Sequence, residues 1–398
     1  MSKFSYGISA SVIAGAILFS SCSANLGPET LPSTTPYTEP TVETEPEPEL
    51  TEETLPPEAT EPASSAVVTE KIVESNGRLA IDGTNIVNAE GEPVVLKGIT
   101  SFGIQDCEDF FTHDTIKTLA EDWGCDVIRI AITGDENSEG YLKDPEKYFD
   151  MVCKICDMCS EQGVYVIVDW NVCYLEDYDE NKDAAVDFFK RLSAIYTESP
   201  NIIYEVTNDP VLTEEIEEDT DEWEDIIKPF VTDVIEAVRE NETENIIIVG
   251  TPERGLDVDI ASDSALDYDN IAYACRFFTG SQGDALKEKI RTAIDNEVCV
   301  FVTEIGFCND QLFGGVFRKA SGPWLEFLGE NKISWCNYAI GNDSSNSANA
   351  LDFSDENYTD EQRSGHWPDG LISDSGAYAR DEFLKVEETA ETTETEEE

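Results

Sequence analysis

YFDMVCKICDMCSEQGVYVIVDW, residues 148–170, holds the two patterns from which the fold is read. Its first half places Tyr148, Val152, Ile155, Cys156 and Cys159 at helical spacing, an apolar stripe on a polar segment. Its second half, 165–170, is a continuous Val- and Ile-rich run with no polar alternation. A strand that is apolar on both sides is covered on both faces, as in a parallel sheet wrapped by helices. One helix followed by one such strand is the unit of an α/β fold.

The same pair recurs in both directions. Apolar runs read as strands at 94–99, 127–132, 165–170, 202–206, 246–249, 271–275, 300–305 and 333–340. Trp223, Ile226, Ile227, Phe230, Val234 and Val238 form one helical stripe between them, and Leu286, Ile290, Ala293 and Ile294 another. A last helix near 377–384 follows the eighth run, while 250–271 reads as more loop than helix. Ahead of the first run, 79–81 and 84–87 flank Asp82-Gly83, a hairpin signal. Eight strands alternating with about eight helices in about 310 residues predict a (β/α)8 barrel, a TIM barrel, with a short N-terminal β-hairpin. A doubly wound open sheet would usually carry a Gly-rich phosphate turn after its first strand, and Gly98-Ile99-Thr100-Ser101 is not one.

Charge narrows the partners. The chain has 398 residues, with 85 acids against 25 bases and a net charge of −60. A polyphosphate would be repelled, so nucleic acid is excluded as a partner, and neutral or cationic ligands are favoured. Twelve Glu fall within 1–75 and seven within 387–398, yet the remainder is still strongly acidic. Residues 1–22 read as an export signal: Lys3, an apolar stretch at 8–19 too short to span a bilayer, then Ser20 and Ser21 before Cys22. The segment resembles a bacterial lipoprotein signal, which implies acylation at Cys22. Residues 23–75 are rich in Thr, Pro and Glu, a linker that Pro stiffens and like charges extend. The expected organisation is signal 1–22, linker 23–75, barrel 76–386 and acidic tail 387–398. The chain would then be an extracellular monomer at a bacterial surface, meeting the membrane only through Cys22, or an ordinary secreted protein in which Cys22 is incidental.

Eleven Cys include Cys153, Cys156 and Cys159, whose spacing resembles an iron–sulfur motif. They fall inside an amphipathic helix without a fourth ligand nearby, so packed thiols are expected. Asp177, Asp179, Asn181 and Asp183 resemble a calcium loop, but Gly at its sixth position and Glu at its twelfth are missing. Helix capping is the expected role, and no metal or cofactor is expected.

In a barrel the chemistry belongs at the C-terminal ends of the strands. There the sequence places Arg129, Asp169-Trp170-Asn171, Asn208-Asp209-Pro210, Arg276-Phe277-Phe278, Thr303-Glu304-Ile305-Gly306 and Tyr338. Asp209 and Glu304 could flank a glycosidic bond, one carboxyl protonating the leaving oxygen and the other acting as nucleophile or base. Solvated or salt-bridged carboxylates are the competing reading in so acidic a chain. Aromatic faces near these ends, Trp170 and Tyr338 among them, could stack on sugar rings.

Five segments, 85–99 (NIVNAEGEPVVLKGI), 164–170, 201–210, 245–250 and 301–306, resemble in order those of bacterial cellulases of glycoside hydrolase family 5. The resemblance runs from Asn76 to Leu384. It implies a barrel of retaining β-glycosidases, with Glu304 at the nucleophile position, Asp209 at the acid/base position, and Asn208 at the Asn that contacts the substrate 2-hydroxyl. It places Arg129 as the buried Arg that holds the nucleophile, and β-glucan as the polysaccharide partner. The departures are specific. Asp209 stands where the family has Glu; Asn171, Arg276 and Phe102 stand at family His positions. Phe278 stands at the Tyr that would hydrogen-bond the nucleophile, Ile305 at a Trp, and Tyr338 at the Trp that would stack on sugar.

Asp is one methylene shorter than Glu, and a misplacement of about 1 Å costs on the order of 100-fold in rate. A guanidinium at Arg276 would hold nearby carboxyls ionised, the wrong direction for an acid. The expectation is a cellulase-like protein whose hydrolysis is weak or lost. The alternatives are an active retaining endo-β-glucanase using Asp209 and Glu304, and a structural or partner-binding surface protein.

Overall fold

The structure, a computed structural model, describes residues 71–134, 140–172, 178–208, 220–241, 244–341, 346–352 and 359–385. Strands β1 (Ala80–Asp82) and β2 (Asn85–Val87) pair antiparallel, with Gly83 in the left-handed region at φ 58° to make the turn. Eight strands then close a parallel barrel in chain order: β3 (Lys97–Gly103), β4 (Val127–Thr133), β5 (Tyr165–Asn171), β6 (Ile202–Glu205), β7 (Ile247–Val249), β8 (Ile271–Phe278), β9 (Cys299–Gly306) and β10 (Trp335–Ile340). β10 pairs with β3 to complete the ring. The expected (β/α)8 barrel with its hairpin is therefore the fold.

A helix follows each barrel strand: α1 (His113–Lys117), α2 (Pro145–Gln162), α3 (Tyr178–Ile195), α4 (Lys228–Arg239), α5 (Val258–Asp263), α6 (Asp284–Asp295), α7 (Arg318–Glu330) and α8 (Asp374–Phe383). The 148–159 stripe lies on α2, which Asp144 caps by accepting from the Lys147 amide and Gly163 closes at φ 78°. The stretch read as more loop than helix holds the six-residue α5, whose Val258 and Ala261 are buried. Cys156 and Cys159 are packed core residues of α2, and the nine described cysteines are free thiols. Asn181 lies in α3, whereas Asp177 is outside the described residues. Among the described residues no helix is long and apolar enough to cross a membrane.

Alternation along each strand sorts side chains into two shells. Ile128, Ile130, Val166, Val168, Tyr204 and Val249 face outward into the core shared with the helices. Val127, Tyr165, Ile167, Ile203, Ile248, Ala274, Phe301 and Cys336 fill the barrel interior, and Leu79 and Ile86 of the hairpin segment close its N-terminal end. Two residues further along the same inward rows stand Arg129, Asp169, Glu205 and Arg276, all buried. The interior is thus apolar at one end and charged at the other. The charged end is the C-terminal mouth.

Candidate active site

Arg129 on β4 is the hub of the mouth. Its fully buried guanidinium donates from Nε to Glu205 Oε2 (2.5 Å) and from Nη1 to Thr100 Oγ1 (2.9 Å) and Glu304 Oε1 (2.7 Å). Nη2 donates to Asn208 Oδ1 (2.8 Å) and lies 3.0 Å from Asp169 Oδ2. One side chain thus ties together β3, β5, β6, the turn after β6, and β9. Burial works against its charge, but Asp169, Glu205 and Glu304 outweigh it and hold the guanidinium protonated well above its ordinary range. The bond to Asn208 also fixes that amide, leaving Nδ2 as the donating end.

Glu304 on β9 is gripped a second time. Its Oε2 forms an ion pair with Nη2 of Arg276 on β8, and the two side chains are 11% and 8% exposed. Each carboxylate oxygen therefore carries its own guanidinium. A register shift makes this possible. Cys275 pairs with Val302, but the next residue, Arg276, pairs with Glu304 and not with Thr303. The extra residue on β9 is a β-bulge, which re-aims the side chains that follow it.

Asp169 sits beneath this pair, fully buried. Burial drives its carboxyl well above the usual range; Arg129 and Arg276 pull it down, while Glu205 and Glu304 push it further up. The net direction is upward.

The Arg276 stem is held from outside by the turn after β7. Glu253 (φ 52°), Arg254 (φ 60°) and Gly255 (φ 78°) are three consecutive left-handed residues. A Cβ on Gly255 would lie 3.0–3.2 Å from Cβ, Cγ and Cδ of Arg276, so only glycine admits this approach without a shift. Thr251 Oγ1 donates to the Ala274 carbonyl at 2.9 Å, and the Glu253 amide donates to Glu222 Oε2 at 3.2 Å, anchoring the turn at both ends.

An aromatic wall stands on the far side. The Tyr338 ring meets Phe102 edge-on at 5.0 Å and Phe278 at 5.8 Å, with interplanar angles of 85° and 83°. Gly306 makes room for Phe278, since a Cβ there would come within 2.2 Å of the ring. Tyr338 and Phe278 are partly exposed, as a ligand-facing wall requires.

The structure thus gathers Glu304, Asn208, Arg129, Arg276, Phe278 and Tyr338 at one mouth. Asn171 ends β5 at the same rim, partly exposed, with its carbonyl accepting from the Gly134 amide (3.0 Å). Asp209 and Cys22 lie outside the described residues. Trp170 is a correction. Its side chain is fully buried, 5.2 Å from Tyr141 and 5.3 Å from Phe188 between ring centroids, in the shell between barrel and helices. Asp169 points inward, so alternation sends Trp170 outward and away from any sugar. Ile305 is buried in the same outer shell. Glu205 and Thr100 escaped the sequence reading. Glu205 was visible in principle as the polar residue two positions past inward-facing Ile203, as Arg129 follows Val127. Among the described residues no cluster of His, Cys, Asp and Glu could hold a metal ion.

Residues 87–344 match the family model described as cellulase (glycosyl hydrolase family 5). An endoglucanase of Clostridium saccharobutylicum is 32% identical over 79% of this chain and 67% of its own length. Endoglucanase A of Evansella cellulosilytica is 34% identical over 75% of this chain, which spans 58% of that relative. The catalytic domain of a Thermobifida fusca endoglucanase, solved in complex with cellotetraose, superposes with a TM-score of 0.71 at 27% identity, covering 79% of this chain and all of that one.

Proposed function

The chain belongs to the cellulases of glycosyl hydrolase family 5, and on that premise we propose that its mouth recognises β-1,4-glucan or a related polysaccharide and hydrolyses it weakly or not at all. The observation that carries this reading is the double grip on Glu304. A retaining hydrolase uses one carboxylate oxygen to attack the anomeric carbon while a second carboxyl protonates the leaving oxygen. Here Oε1 is bound by Arg129 and Oε2 by Arg276, so attack through either oxygen spends the negative charge that strengthens both charge-assisted hydrogen bonds. The acid/base position falls to Asp209, next in sequence to Asn208 and one methylene shorter than Glu.

Features suited to binding sugar remain at the mouth. Asn208 presents an amide donor fixed by Arg129, suited to a sugar hydroxyl. Tyr338, backed edge-on by Phe102 and Phe278, offers a ring on which the apolar face of a glucose residue can stack. A neutral polysaccharide also suits the strongly acidic chain. Export, acylation at Cys22 and an extended Thr/Pro/Glu-rich spacer belong to the same proposal, which makes the protein a monomeric glycan-holding module at a cell surface.

The test measures two quantities on one purified sample: binding of cellotetraose and soluble β-glucan, and release of reducing ends. Binding with little or no release supports the proposal. Release at ordinary cellulase rates refutes the impairment and makes the chain an active retaining endo-β-glucanase through Asp209 and Glu304. Neither binding nor release leaves a partner-binding surface protein.

A further inference from the structure

Phe313 stands seven residues past Gly306, in the loop leaving β9, and hence on the barrel face that carries Glu304. Its side chain is 54% exposed. The other exposed large apolar residues among those described lie elsewhere: Ile195 ends α3, Ile260 is within α5, Tyr268 precedes β8, and Leu384 follows α8. Single exposed apolar residues are ordinary on protein surfaces. What sets Phe313 apart is the construction of its loop.

Asn309 Oδ1 accepts from the amides of Gln311 (3.2 Å) and Phe313 (3.1 Å). Leu312 (φ 61°) on one side and Gly314 (φ 95°) and Gly315 (φ 74°) on the other are left-handed. The Ser347 amide donates to the Leu312 carbonyl (2.7 Å), and the Gly315 amide donates to Ser347 Oγ (3.1 Å). The Phe317 amide closes the base on the Phe307 carbonyl (2.7 Å). The loop is therefore tied to its own base and to the segment after β10, the strand that carries Tyr338. A hydrogen-bonded backbone with left-handed residues on both sides of an aromatic holds that ring in water, where it has no role in the core.

We infer that Phe313 is an outer platform on which a glucose residue of a β-glucan chain leaving the mouth stacks. The occupant follows from continuity: the loop opens directly from the strand bearing Glu304 and is joined to the segment that follows the one bearing Tyr338. The apolar face of a pyranose suits an aromatic ring, and Asp310 and Gln311 beside it offer partners for equatorial hydroxyls. This rests on the glucan-binding reading, and the experiment separates the two.

Calorimetric titration of the wild type, Phe313→Ala and Phe313→Trp with cellobiose, cellotetraose and cellohexaose is the test. Phe313→Ala is expected to weaken cellohexaose by about two- to ten-fold, the range of one aromatic stack. Cellobiose affinity should stay unchanged, and Phe313→Trp should hold or improve the long ligand. An exposed ring carries no core packing, so the melting temperature of Phe313→Ala should match that of the wild type. Equal losses at every length, or no loss at any, overturns the platform while leaving the glucan reading intact. A fall in melting temperature also overturns it, by making the ring structural. A wild type that binds none of the three overturns both.

Discussion

Replacing Arg276 with His releases one of the two guanidiniums on Glu304, and its effect on rate follows from the geometry. The Arg276–Glu304 pair is nearly excluded from solvent, and a hydrogen bond to a charged group in such a place is worth about 1.5–3 kcal/mol net. Covalent attack through Oε2 neutralises the carboxylate and weakens that bond, so its removal should speed attack by up to about 10- to 150-fold. Unlike Arg, a His there can lose its charge, so the assay is run on the alkaline side, where the grip is not reinstated. On the proposed reading Asp209 acts in leaving-group protonation, and its missing methylene costs on the order of 100-fold. The two are separable by substrate. An aryl cellobioside has a leaving group that needs no proton, so Arg276→His alone should show its full gain there. Asp209→Glu alone should help only on unsubstituted glucan, and the double variant should raise glucan hydrolysis most. Breaking a buried ion pair costs up to about 3–5 kcal/mol of stability, the low end applying here because Glu304 keeps Arg129. Thermal unfolding must therefore confirm that each variant is folded, with Arg276→Gln as a second test of the same release. A folded Arg276→His and a folded Arg276→Gln that cleave the aryl cellobioside no faster than the wild type would refute the reasoning.

Three further outcomes are expected. Gly255→Ala puts a methyl group 3.0 Å from Arg276 Cγ at a left-handed position, so it should cost about 1–2 kcal/mol and raise aryl cellobioside hydrolysis in the same direction as Arg276→His, by less; lost stability with unchanged hydrolysis would show that the turn does not position Arg276. Asp126 accepts from the Lys97 amide at 3.1 Å, and burial pushes its carboxyl from an ordinary 3.8 to about 6. A raised carboxyl binds its proton more tightly folded than unfolded, so its contribution is best at low pH and is lost as pH rises from about 4 to 6. Asp126→Asn should thus match the wild type near pH 4 and exceed it above pH 6 by at most about 3 kcal/mol, a ceiling because the residue keeps some solvent contact; urea melts at both pH values check this, and a gap that does not grow with pH counts against it. Cys22→Ala should move the protein from the membrane fraction of a producing bacterium to the soluble one, and unchanged membrane association would end the lipid-anchor proposal.

Sequence alone determined the barrel and most of its mouth. Val/Ile-rich runs such as 165–170, alternating with helical stripes such as 148–159, admit few folds, because a strand apolar on both faces needs helices to cover it. Once the barrel is accepted, strand ends locate Arg129, Asn208, Arg276, Glu304 and Tyr338 without further information. The tertiary structure decided which way each side chain points and what it meets. In a strand buried on both faces, hydropathy does not distinguish inside from outside, so Trp170 read as sugar-facing although it packs on Tyr141 and Phe188. Glu205 passed unnoticed for the same reason until Arg129 supplied its partner. The meeting of Arg276 with Glu304 depends on a one-residue register shift between β8 and β9. Register is fixed by packing across strands more than twenty residues apart, so no local pattern encodes it.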